Sequence, residues 1–173
     1  MTGIQMKRRA SLFAVIAVAA MIFVFSAQEG EDSSRLSQGV TEWVLGAVVP
    51  GYGAMSLPQK LRYLKLAGFW VRKAAHFSEY ALLGATLLIH LRYAMAGRRY
   101  RAMALWSWLI ATLYACTDEL HQMFVGGRGP AIRDVLIDSA GALAGAWVGV
   151  AAILLWHSVR RRRAESREGN DGR

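Results

Sequence analysis

The chain has 173 residues, room for one compact domain, and 54% of them are hydrophobic, with a mean hydropathy of +0.25. That balance leaves too little polar surface to cover a soluble domain of this size. The net charge of +9 does not point to nucleic acid, because the basic residues cluster between apolar runs, as membrane-flanking charge does: Lys7-Arg8-Arg9, Arg98-Arg99-Tyr100-Arg101 and Arg160-Arg161-Arg162-Arg163.

The expected architecture is all-α: a polytopic membrane protein of four transmembrane helices with amphipathic helices on the extracytoplasmic side. Residues 1–9 read as a cytoplasmic N-terminus, 10–156 as a single membrane domain and 157–173 as a basic, polar cytoplasmic tail. The first span runs roughly from Ala10 to Ala27, about 27 Å of helix. Its rival reading is a cleaved signal peptide; Phe25-Ser26-Ala27 lacks a small residue at position −3, which favours a retained anchor.

Between Ser33 and Pro58 lies the longest piece outside a span. Ser33-Ser34 is placed to cap a helix in which Leu36, Val40, Trp43, Val44 and Ala47 share a face, and Pro50-Gly51 ends it. A second amphipathic stretch follows Pro58, with Leu57, Leu61, Leu64 and Val71 roughly aligned and Lys60, Arg62 and Lys65 interspersed. Both read as helices lying at the outer interface, against the simpler alternative of covering helices with no binding role.

The second span is expected from about Ala74 to Tyr93, and the third from Ala102 to about Cys116 with a polar tail to Phe124. The fourth runs from Val135 to Trp156. Cys116, the single cysteine, excludes an internal disulfide and a cysteine-rich metal site; within its apolar run it reads as a small buried residue. Charge sets the orientation. The N-terminus, the loop Arg92 to Arg101 and the tail after His157 carry 3, 4 and 6 basic residues, with acidic residues only in the distal tail. These ends belong in the cytoplasm, which puts both termini on the inner side of the membrane. Trp106, Trp108 and Trp156 then mark the inner interface.

This orientation gathers the polar residues. The outer end of the second span holds Lys73, His76, Glu79 and Tyr80, with Lys73, His76 and Tyr80 on one helix face. The third span ends outward with Asp118, Glu119, His121 and Gln122. After a short turn through Gly127-Arg128, the fourth begins with Arg133, Asp134 and, one turn deeper, Asp138. Burying such groups costs several kcal/mol each unless they are paired or protonated, so three helix ends meeting at one depth read as a shared site. Asp134 has a competing role as N-cap of the fourth helix, and Arg128 or Arg133 could pair with Asp118 or Asp134 to lock the loop. Gly141, Gly145 and Gly149 continue the Asp134–Asp138 stripe and are expected to pack against another span, turning both carboxylates into the bundle.

Lys73-Ala-Ala-His76-Phe-Ser-Glu79-Tyr80-Ala-Leu-Leu-Gly84, Thr117-Asp118-Glu119-Leu-His121-Gln122, Gly127-Arg128, and Asp134-Val-Leu-Ile-Asp138-Ser-Ala-Gly141 with Gly145 closely resemble the VanZ-like family. So does Phe25-Ser26-Ala27-Gln28, and the resemblance spans about residues 10 to 156. One departure is Asp138, where the family often has Asn. The resemblance implies a bacterial membrane protein with a cell-envelope role, in a family whose named member is associated with low-level resistance to the glycopeptide teicoplanin.

Three mechanisms are in play. A membrane-embedded enzyme, acting on a lipid-linked envelope substrate, would use His76, Glu79, Asp118, Glu119, His121 and Asp134 as catalytic groups. It would work either by acid–base chemistry or around a divalent metal, for which Asp118 and His121 are spaced as a pair. Lys73, Tyr80, Gln122, Arg128 and Asp138 would bind the substrate, Lys73 and Arg128 through a phosphate. Neither H-E-x-x-H nor G-x-S-x-G is present. A binding or shielding protein would instead engage the glycopeptide or a precursor at the outer leaflet, with Trp43, Tyr52, Tyr63 and Trp70 as its surface. A small transporter is disfavoured, since no ionisable residue sits convincingly near the midplane. The expected partners are the lipid bilayer and a glycopeptide or lipid-linked precursor, not nucleic acid.

Overall fold

The structure, a computed structural model, describes residues 3–27, 30–124 and 132–171, and the side chains among them apart from those of 30–36 and 164–171. Every regular element in it is helical. In chain order these are α1 (Gly3–Ser26), α2 (Gly30–Val48), a 3-10 turn (Tyr52–Ala54), α3 (Leu57–Ala94), α4 (Tyr100–Gln122) and α5 (Ile132–Asp171).

The helices α1, α3, α4 and α5 form a bundle in which each runs opposite to the one before. Four contacts fix the directions. At one end, Gln122 of α4 donates to Ser26 of α1 at 2.9 Å, and Lys73 of α3 pairs with Asp134 of α5. At the other end, Ser11 of α1 bonds His90 of α3 at 3.2 Å, and Arg92 of α3 meets His157 of α5 at 3.2 Å. The three basic clusters therefore lie at the second end, and the carboxylate-bearing helix ends at the first, here called the polar end.

α3 is the hub, packed against α5, α1, α4 and α2. Its contact with α5 is the closest in the molecule. A Cβ on Gly145 would overlap the carbonyl of Ala81; one on Gly141 would overlap that of Phe77; one on Gly84 would overlap that of Ala142. The glycine stripe expected to pack against a neighbouring helix does so: Gly141 and Gly145 meet the backbone of α3, and Gly149 meets the Leu88 side chain. Around this line the core is small and tight: Tyr80, Leu83, Leu87 and Leu88 from α3, Ala111 and Ala115 from α4, and Ala142 and Ala146 from α5.

α3 also corrects an expectation. The amphipathic stretch after Pro58 and the span from Ala74 are one uninterrupted helix of 38 residues, about 57 Å long. Ser56 starts it with a capping box to Gln59, and Pro58 sits in the first turn, where its missing N–H costs nothing. No second proline follows to stop it. α2 starts at Gly30, before Ser33-Ser34, and ends as expected at Pro50-Gly51, where Gly51 takes a left-handed φ of 73°. Thr41 and Leu45 turn towards α3, while Val40 and Trp43 point outward, Trp43 being 74% exposed.

Two further readings change. Cys116 is exposed, not buried, because it lies on the outer face of α4. Trp106 is exposed, but Trp108 turns inward and bonds Ser139; two residues apart on a helix is about 200°, so both cannot face one medium.

α1 and the 132–163 part of α5 are long and apolar enough to cross a membrane. α3 and α4 fall short of the same measure, since His76, Glu79 and His90 interrupt the apolar part of α3, and Asp118 and Glu119 close that of α4. All four bundle helices nevertheless present large apolar side chains outward, among them Phe13, Leu82, Leu113 and Val148.

Candidate functional site

The polar end of the bundle is built by helix register. On α3, residues 73, 76 and 80 fall on one face, directed at α5 and α4. On α5, Asp134 and Asp138 continue the glycine line that touches α3, so both carboxylates are carried inward. On α4, Asp118 and Gln122 are one turn apart and face the same interior; both are buried.

Asp138 is the centre, at 3% exposure. His76 Nδ1 lies 3.8 Å from its Oδ1. The carboxylates of Asp118, Asp134, Glu79 and Glu119 all act on it electrostatically. Tyr80, fully buried, sets its hydroxyl within the same field, facing Asp118 and Asp138. Asp118 accepts a hydrogen bond from Gln122 at 3.2 Å through one oxygen. Its other oxygen, Asp138 Oδ1 and the Tyr80 hydroxyl are buried and make no hydrogen bond of full geometry among the described residues, although Tyr80 and Asp118 face each other as a pair. Buried polar atoms without partners are rare in folded proteins and mark a place where something else binds or reacts.

Below Asp138 the next residue anchors a small network. Ser139 Oγ accepts from Trp108 Nε1 at 2.9 Å and bonds Thr112 Oγ1 at 2.9 Å. Beside it, the Tyr114 hydroxyl donates to the Ala19 carbonyl at 2.8 Å and ties α4 to α1. These bonds close the floor of the cluster, so its polar groups do not continue towards the basic end.

The structure thus brings together Lys73, His76, Glu79, Tyr80, Asp118, Glu119, Gln122, Asp134 and Asp138. Three expectations change. Asp134 sits inside the first turn of α5 instead of capping it, and its carboxylate is taken by Lys73, neither by Arg133, which is exposed, nor by a backbone N–H. His121 does not pair with Asp118: its ring packs on Phe23 of α1, centroids 4.8 Å apart. Among the described residues no group of three or more His, Cys, Asp or Glu side chains is arranged to hold a metal ion. Arg128 lies outside the described residues.

Sequence reasoning missed Ser26, Tyr114 and Ser139. For Tyr114 a signal existed, since it stands four residues before Asp118 and a tyrosine hydroxyl within an apolar helix needs a partner. Ser26 stood out only as part of the Phe25-Ser26-Ala27-Gln28 resemblance, and nothing local says that it meets Gln122 of α4.

A family model described as VanZ/LLP1 matches residues 11–155. The chain belongs to the VanZ/LLP1 family. The matched region contains every residue of the polar cluster and most of the length of the four bundle helices. Family membership and the two apolar helices together mark a membrane protein. No curated protein sequence and no solved structure matches the chain.

Proposed function

We propose that this VanZ/LLP1 protein is a four-span inner-membrane protein with a cell-envelope role of the teicoplanin-resistance type, working through an extracytoplasmic site centred on Asp138. The observation that carries the reading is the convergence of Asp118, Glu119, Asp134, Glu79, His76 and Tyr80 around that one buried carboxylate. The outward apolar side chains on all four bundle helices support the four-span arrangement, as lipid is the medium that would cover them. The three basic clusters at the opposite end support placing both termini in the cytoplasm, with the polar end outside. An outward site is where a glycopeptide and its envelope targets are found.

In this reading Lys73 pairs with Asp134, His76 stands beside Asp138, and the acidic cluster selects a ligand that is cationic or rich in hydrogen-bond donors. Gln122 and Tyr80 supply directional hydrogen bonds. Glu119 and Asp118 form the wall contributed by α4. Arg128, on the segment joining α4 and α5, stays a proposed contact to an anionic part of the ligand. His121 acts at the edge, holding α4 against α1 through Phe23.

The test is teicoplanin susceptibility of cells carrying the wild type, Asp118→Asn or His76→Ala, with membrane abundance measured in each. The expected result is protection by the wild type that both variants lose at equal abundance. Equal protection by all three would remove the site from the activity, and no protection by the wild type would remove the glycopeptide role.

A second reading is favoured by the His76–Asp138 pair at 3.8 Å: acid–base catalysis on a lipid-linked envelope substrate. A proton relay of that kind needs a histidine next to a buried carboxylate, which is the geometry observed. Incubating the purified protein with lipid-linked cell-wall precursors and following product by mass spectrometry separates it from pure binding. Turnover abolished by His76→Ala supports catalysis; binding without turnover returns the site to a binding role.

A further inference from the structure

Away from the carboxylate cluster, α2 and the extended part of α3 form a half-open cavity of about 260 Å³. Its chemistry is opposite in sign. Lys65 and Arg72, seven residues apart on α3, line it from one side; Ser37, Gln38 and Thr41 of α2 line it from the other. No carboxylate lines it among the described residues. Gly68 lies between the two cations on the same face, and the missing side chain leaves the floor open.

Arg72 decides what the cavity wants. Its Nε is buried and has no hydrogen-bond partner among the described residues. A guanidinium N–H withdrawn from water without an acceptor is costly, and a planar donor fork beside a lysine matches the oxygens of a phosphate. Among the described residues of α2 none accepts from it: Thr41 donates its hydroxyl to the Ser37 carbonyl at 2.6 Å, Gln38 donates its amide to the exposed Glu42, and neither side-chain oxygen is in hydrogen-bond geometry with Nε. Leu61 and Leu64 continue the lining, and exposed Val40 and Trp43 stand on the outer surface of α2. A polar head with apolar chains fits such a surface better than a free ion.

We propose that the α2–α3 cavity is a phosphate-binding site for the headgroup of an anionic phospholipid, with Arg72 and Lys65 as its two cationic contacts. It is separate from the carboxylate cluster: Lys73, next in sequence to Arg72, turns to Asp134 and takes no part. The lipid would wedge between the two helices and fix α2 against α3.

The experiment uses the full chain in a neutral detergent, titrated with short-chain phosphatidylglycerol, short-chain phosphatidylcholine and inorganic phosphate, and followed by microscale thermophoresis. Saturable binding of phosphatidylglycerol is expected, weakened by salt and weakened about tenfold in Arg72→Gln and in Lys65→Gln. Arg72→Lys, which keeps the charge but loses Nε, should fall between. Thermal melting of each variant checks folding, and Lys65→Gln alone suffices if Arg72→Gln does not fold, since Lys65 is exposed. Inorganic phosphate binding as tightly as the lipid would show an anion site with no lipid preference and overturn the headgroup assignment. Equal binding of phosphatidylcholine, or unchanged affinity in Lys65→Gln and Arg72→Gln, would overturn the site.

Discussion

The α3–α5 contact and the polar end adjoin on the same two helices, Gly141 standing within a turn of Asp138, yet they are built on opposite terms. Along Gly84, Gly141 and Gly145 the backbones touch, and the residues they meet are Ala142, Phe77 and Ala81. Around Asp138 side chains fill the space between the helices, and several buried oxygens make no hydrogen bond of full geometry among the described residues. Close backbone packing supplies the rigidity and stability that allow the other end to hold uncompensated polar groups. The lesson is a division of labour within one helix pair: glycines fix the distance, and the residues one or two turns beyond them carry the chemistry.

The comparison predicts large effects at the contact and graded ones at the polar end. Gly145→Leu should be the most damaging change, because its side chain would have to occupy the position of the Ala81 carbonyl. The expected loss is about 3 kcal/mol or more, seen as a collapse of the monodisperse peak and the melting transition in detergent. A Gly145→Leu protein that melts like the wild type would mean the two helices are not in backbone contact.

Next comes Lys73→Met, which leaves Asp134 without its partner. The pair is only partly shielded, with side chains 15% and 19% exposed, so the cost is set at about 1–2 kcal/mol, less than for a fully buried pair. Adding Asp134→Asn should recover most of it. A double variant as unstable as Lys73→Met alone would show that the pair is not coupled.

Tyr114→Phe removes one hydrogen bond to Ala19 and should cost about 1 kcal/mol in the melting measurement. No change would mean α1 is held to α4 without this bond. The smallest effect has the opposite sign. Gly46, on α2, has nothing within 4 Å of where a Cβ would stand, so Gly46→Ala should stabilise by about 0.5 kcal/mol. If it destabilised as Gly145→Leu does, the contrast between glycines in contact and glycines in the open would fail.

Much of this was legible in the chain. The helix pattern, the opposing directions and the meeting of Lys73, His76, Tyr80, Asp118, Asp134 and Asp138 follow from apolar run lengths and a 3.6-residue period. Those are local properties, read off consecutive residues. The glycine stripe also announced a close contact, although not with which helix. What stayed hidden depended on partners distant in sequence. Cys116 and Trp108 sit in equally apolar surroundings, and only the rotation of α4 about its axis decides that one faces outward and the other bonds Ser139.

By itself, then, the sequence determined an all-helical chain with its charges sorted to two ends, because hydropathy and periodicity act over single helices. The tertiary structure alone decided that Lys73 takes Asp134, that His121 turns to Phe23, and that Lys65 and Arg72 face a cavity under α2. Each of those depends on how two helices rotate and slide against each other. That is set by the summed packing of the whole interface and not by any residue's own neighbours in the chain.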